Sequence, residues 1–137
     1  MAENQSLRNM NLVAIIASFV VAITGTTTMP VIDYNSTTTE RVAIIREIDE
    51  VFEDNAEVMK RIGDCESDLI PEAKSTSSTA TGVFQILKGT WEDHKCEGNR
   101  KNYKDNIACA KKIHDGPQGL GAWSESFKCW RKTFKVK

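Results

Sequence analysis

The four cysteines, Cys65, Cys96, Cys109 and Cys129, all follow an N-terminal apolar run, and this order constrains the fold more than any other feature of the chain. Arg8 precedes the run from Leu12 to Ile23, which only Ser18 interrupts, and no Lys or Arg then occurs before Arg41. That asymmetry holds the N-terminus in the cytoplasm and sends the rest outward. Cysteines in an exported chain oxidise, so two disulfides are expected and the helical core they staple need not stand alone. There is no C-x-x-C pair, and His94 near Cys96 is the one place where His and Cys approach each other in sequence. No metal or other cofactor is therefore expected. Four cysteines allow three pairings, and spacing alone does not choose among them.

The apolar run has no polar face, which speaks against a buried core helix and leaves two export readings of residues 1–32. As a helix, the Leu12–Ile23 core spans about 18 Å against a hydrocarbon layer of roughly 30 Å, which favours a signal peptide. No clean Ala-x-Ala site follows, since Ala22-Ile23-Thr24 is a poor match, and Met29, Pro30, Val31 and Ile32 extend the apolar segment toward a membrane anchor. Both readings place the remainder in the cell envelope or outside the cell. Residues 33–40, the end of a Thr/Ser-rich stretch, show no helical or strand period and read as a spacer.

From Arg41 the pattern turns helical. Ile44, Ile45, Ile48, Val51 and Phe52 recur at helix spacing among charged residues, and Asp54-Asn55 can cap a second helix carrying Ala56, Met59 and Ile62. Pro71 forbids easy continuation beyond Glu66. A loop of small polar residues from Lys74 to Thr81 precedes the apolar run Val83–Leu87. A further helical pattern holds Ile107, Ala110 and Ile113, and a last amphipathic segment holds Trp123, Phe127 and Trp130. Strand signals are few. A mainly α, compact domain over residues 41–133 is expected, with a basic tail at 134–137.

Net charge is close to zero, with 18 Lys and Arg against 19 Asp and Glu, so no nucleic-acid partner is indicated. The charge is unevenly spread: Glu40–Glu72 holds 11 acidic and 4 basic residues, and Lys95–Lys137 holds 4 acidic and 11 basic. A basic C-terminal third suits an anionic polymer or a merely solvated surface. The candidate for chemistry is Glu66, a carboxyl at a helix end with the apolar Gly82–Ile86 run close by in sequence. Apolar surroundings raise a carboxyl pKa by disfavouring the anion, which is the state a general acid needs.

The order of motifs adds a resemblance. Cys65-Glu66-Ser67, Gly82-Val83-Phe84-Gln85-Ile86, Gly89-Thr90-Trp91, Tyr103-x-x-Asn106-Ile107-x-x-Ala110 and Gly121-Ala122-Trp123-Ser124 follow one another within 60 residues. This series resembles the lytic transglycosylase SLT domain, and the C-E-S opening and G-A-W segment also look like the resuscitation-promoting factors. The resemblance covers about residues 44–130 and implies a lysozyme-like helical domain. It implies that Glu66 protonates the glycosidic oxygen between N-acetylmuramic acid and N-acetylglucosamine. It also implies that Gly82 permits close backbone approach, that Phe84 lies near the glutamate, and that Gln85 bonds a sugar or Glu66. Tyr103 and Trp123 would line the cleft as stacking surfaces, and Asn106-Ile107 would open a helix with Asn106 in a structural role.

From the resuscitation-promoting factors comes the pairing Cys65–Cys129, and Cys96–Cys109 is then what remains. The chain departs from the family where Asp68-Leu69-Ile70-Pro71 follows the glutamate, which leaves subsite preference open. Asp68, two residues on, would point about 200° away from Glu66 on a continuing helix and is a poor second carboxylate. A single-glutamate mechanism on peptidoglycan strands, closing a 1,6-anhydro ring, is expected of a monomer. A muramidase that lets water attack and a non-catalytic wall-binding module are the rival readings.

Overall fold

The computed structural model describes residues 34–132; the apolar run and the basic tail lie outside them. Over the described residues the chain is mainly α. Helix α1 spans Tyr34–Phe52, a 3-10 turn spans Glu53–Asn55, and α2 spans Ala56–Ser67. After a long loop come α3 (Lys88–Asp93) and α4 (Tyr103–His114). A 3-10 segment (Gly119–Ser126) then leads into α5 (Phe127–Trp130). Among the described residues no helix is long and apolar enough to cross a membrane.

Two boundaries and one cap differ from the sequence expectation. Of the residues read as a spacer, 34–40 are already helical, because α1 begins at Tyr34. Its early turns carry exposed Thr38, Thr39 and Glu40, so no apolar stripe announces them. Asn55 precedes α2 without a side-chain capping bond, since the 3-10 turn carries the helical backbone through to Ala56. Finally, α4 opens at Tyr103 and not at Asn106. The Asn102 side chain caps it by accepting from the Lys104 and Asp105 amides, which leaves Asn106 a turn inside.

The core follows the helix period. Ile44, Ile48 and Phe52 of α1 meet Met59 and Ile62 of α2 and Ile107, Ala110 and Ile113 of α4, all buried. Val83 and Phe84 sit fully buried among them, on the loop between α2 and α3. The Phe84 ring lies 6.0 Å from that of Phe52 and 5.8 Å from that of Trp123. Two isolated antiparallel bridges, Lys74 with Thr81 and Thr81 with Ile86, are the extended pairings among the described residues.

The α2–α3 loop therefore has little sheet to hold it, and side chains do the holding. Asn106, fully buried, accepts from the Phe84 amide at 2.9 Å and donates to the carbonyls of Thr81 at 3.2 Å and Arg100 at 2.8 Å. Ser67 donates to Val83 O at 2.8 Å, and Trp123 Nε1 donates to Phe84 O at 3.1 Å. Gly82 passes through at φ +87°, and a Cβ there would collide with Arg100 O and the Asn106 amide. The close approach that the resemblance implied at Gly82 is thus toward Asn106. Two disulfides complete the frame: Cys65–Cys129, with Cα atoms 6.1 Å apart, and Cys96–Cys109, at 5.3 Å. These are the pairs that the resemblance implied.

Candidate active site

Glu66 is the penultimate residue of α2. The helix stops just beyond it because Asp68 and Leu69 both turn left-handed, at φ 55° and 58°, before Pro71 is reached. Leu69 thereby folds back into the core, with its amide on Gly63 O at 3.3 Å. The Asp68 side chain is left exposed, and its backbone carbonyl accepts from Arg41 at 2.6 Å. The second Arg41 nitrogen reaches Asp64, also at 2.6 Å, so α1 is clamped to the end of α2. The pair is open to solvent on both sides, and its worth is about 0–1 kcal/mol. The serine of the Cys65-Glu66-Ser67 motif contributes a stronger tie, through Val83 O, between this helix end and the loop.

Glu66 faces a cleft of about 600 Å³. Its lining takes Ser75, Ser77, Ser78 and Ala80 from the polar loop, Phe84, Gln85 and Ile86 from the apolar run, and Ala122, Trp123, Ser124 and Glu125 from the 3-10 segment. Lys and Arg are absent from this lining, and its carboxylates are Glu66 and Glu125. The Glu66 carboxyl is half-buried and its pKa is raised above the ordinary carboxylate value. Burial is the main cause, a hydrogen bond from Ser126 opposes it, and the Glu125 charge adds to it. Ser126 Oγ donates to Glu66 Oε1 at 2.5 Å. A half-buried carboxyl whose neutral form is favoured by burial, lining such a cleft, can give a proton and take one back.

The residues singled out in the sequence divide here. Trp123 is buried and lines the cleft at once, with its indole nitrogen spent on Phe84 O. Phe84 is fully buried core that also lines the cleft. Gln85 lines the cleft at φ 47°, but its Nε2 donates to Ala73 O at 3.1 Å and Gly82 O at 2.9 Å, closing its own turn. The partner of Glu66 is accordingly Ser126 and not Gln85.

Tyr103 is brought elsewhere. It shares one helix stripe with Ile107 and Ala110, at i, i+4 and i+7, and packs partly buried against the helical core away from the cleft lining. His94 bonds the Thr90 carbonyl at 2.9 Å, and Cys96 is in a disulfide, which accounts for both members of the His–Cys proximity.

Glu125 and Ser126 went unnoticed in the sequence. They lie about 60 residues from Glu66, in a segment with no recognisable motif beyond Gly121-Ala122-Trp123-Ser124. The Cys65–Cys129 pairing was the available signal, since it forces the residues just before Cys129 toward Glu66.

Over 60 residues the chain is similar to lysozyme-like protein 4 of Rattus norvegicus, at 43% identity, and of Mus musculus, at 40%. The matched part is 38% of this chain and 41% of each relative's length. No protein-family model matches the chain, and no solved structure matches it.

Proposed function

We propose that this chain is a peptidoglycan lytic transglycosylase that cleaves the β-1,4 bond between N-acetylmuramic acid and N-acetylglucosamine, with Glu66 as its catalytic residue. The observation that supports this most is the half-buried Glu66 carboxyl, with its raised pKa, on a cleft whose other carboxylate, Glu125, comes from the 3-10 segment. Glu66 protonates the leaving glycosidic oxygen. The substrate's own acetamido group stabilises the positive charge developing at the sugar, a role that a paired carboxylate fills in two-acid glycosidases. Glu66 then takes the proton of the muramic acid C6 hydroxyl as that oxygen closes the 1,6-anhydro ring. No cofactor enters the scheme, and the enzyme acts as a monomer outside the cytoplasmic membrane, exported or anchored through residues 1–32.

A muramidase is the second reading. Glu125 lines the same cleft, and the matched relatives carry a lysozyme-like name. Retaining and inverting hydrolysis both need two carboxyls flanking the scissile bond. Glu125 is next in the chain to the serine that touches Glu66, and its carboxylate is the second one on the cleft lining.

Mass spectrometry of products released from purified sacculi separates the readings. Anhydro-muramic ends support the transglycosylase, reducing ends support the muramidase, and no release overturns both. Glu66→Gln keeps the shape of the side chain but cannot cycle a proton. Activity of that variant within tenfold of the parent, a barrier change of about 1.4 kcal/mol or less, removes Glu66 from the mechanism.

A further inference from the structure

Ser126 Oγ stands 2.5 Å from Glu66 Oε1 and 3.2 Å from Trp123 O, two acceptors for one hydroxyl proton. The chain around it is fixed from several sides. Trp123 O also accepts from Trp130 Nε1 at 3.0 Å, and the Trp123 indole is tied to Phe84 O. Cys129, three residues beyond Ser126, is bonded to Cys65, the neighbour of Glu66. The serine is thus held against the carboxyl by packing and by a covalent brace, at a separation of 60 residues in sequence.

We propose that Ser126 is the positioning residue of Glu66, fixing the carboxyl so that its acid proton resides on Oε2 and is presented to the substrate. This rests on the reading of Glu66 as the proton donor. With the Ser126 hydroxyl donating to Oε1, that oxygen serves as the carbonyl acceptor of the neutral acid, whose proton sits on Oε2. One proton leaves Oε2 for the glycosidic oxygen, and one later returns to Oε2 from the attacking hydroxyl. Ser126 keeps its own proton throughout. The Ser126 bond becomes charge-assisted once Glu66 is an anion, so it strengthens as the proton departs, and an interaction of that kind lowers the barrier more than it tightens substrate binding.

The charged group that faces the pair is Glu125, on the same 3-10 segment. The polar loop brings serines, and on α5 Lys128 is exposed while Arg131 lies over the Phe127 ring at 5.3 Å.

The test compares Ser126→Ala, Ser126→Thr and Glu125→Gln with the parent and with Glu66→Gln, by turnover of purified sacculi across the pH range and by carboxyl NMR titration of Glu66. Ser126→Ala is expected to lower kcat about tenfold or more with KM nearly unchanged, the mark of an interaction made in the transition state. It moves the alkaline limb and the Glu66 titration upward, because the bond favouring the anion is gone. Glu125→Gln moves both downward, and Ser126→Thr restores the parent profile.

A Ser126→Ala variant with parental kcat and an unmoved alkaline limb, while Glu66→Gln is inactive, overturns the inference and leaves the proposed function standing. If Glu66→Gln is as active as the parent, the proposed function fails and the assigned proton donor with it. Should Ser126→Ala not fold, Ser126→Gly lacks the same hydroxyl and carries the same expectations.

Discussion

Asn106 carries the α2–α3 loop on three hydrogen bonds, and its removal can be weighed from the partners it leaves behind. In Asn106→Ala the buried Phe84 amide loses its partner, whereas Thr81 O keeps the Ile86 amide at 3.1 Å and Arg100 O lies nearer solvent and can be rehydrated. A buried group stripped of its partner costs about 1–3 kcal/mol, and each bond whose acceptor keeps another partner or regains water costs about 0.5–1.5 kcal/mol. Together these give roughly 4 kcal/mol, a large part of the roughly 5–15 kcal/mol that holds a domain of this size. Urea unfolding of the disulfide-intact protein, read at constant m-value, measures it. A loss below about 1 kcal/mol would refute the claim that side chains, in place of a sheet, hold this loop.

Asn106→Asp sharpens the same argument. One carboxylate oxygen can still accept from the Phe84 amide, but the other then faces two carbonyl oxygens. The acid form is favoured in the fold, so the folded pKa lies above the unfolded value of about 3.9. Stability is then fullest below the unfolded pKa and falls as pH rises through the folded one. A variant equally stable at acid and neutral pH would contradict the donor role of the Asn106 amide.

Three other outcomes are expected. Glu66 has a raised pKa in the fold, so its ionisation opposes folding as pH rises from the unfolded value through the folded one; Glu66→Gln should be more stable than the parent at neutral pH and lose that advantage in acid, as thermal melts at two pH values would show. Replacing both Cys65 and Cys129 by serine removes a 64-residue closure and should cost about 4 kcal/mol, whereas the 13-residue closure of Cys96 and Cys109 should cost about 3 kcal/mol, each read from the unfolding midpoint. Gly82→Ala places a Cβ on Arg100 O and the Asn106 amide at a left-handed φ and should destabilise by more than about 1 kcal/mol; a neutral effect in urea would mean that this approach is looser than it stands here.

Periodicity fixed much of this molecule in advance. The stripes Ile44–Ile48–Phe52 and Ile107–Ala110–Ile113 became buried faces, because a helical period reports directly which side of an element is apolar. The position of Glu66 near a helix end was legible for the same reason, and oxidised cysteines followed from the expectation of export. A period says nothing about which faces meet or at what angle. Ser126 and Glu125 therefore stayed hidden, since their approach to Glu66 depends on how the 3-10 segment packs across α2. Tyr103, read as a cleft residue, went to the helical core because the packing of α4 turned its stripe inward. The first turns of α1 had no stripe to read, and Gln85, a polar residue in an apolar run, was turned toward backbone carbonyls that only the folded loop provides. Local pattern decided the elements and the place of Glu66 near a helix end. Contacts between residues distant in sequence, which exist only once the helices have packed, decided what surrounds that carboxyl.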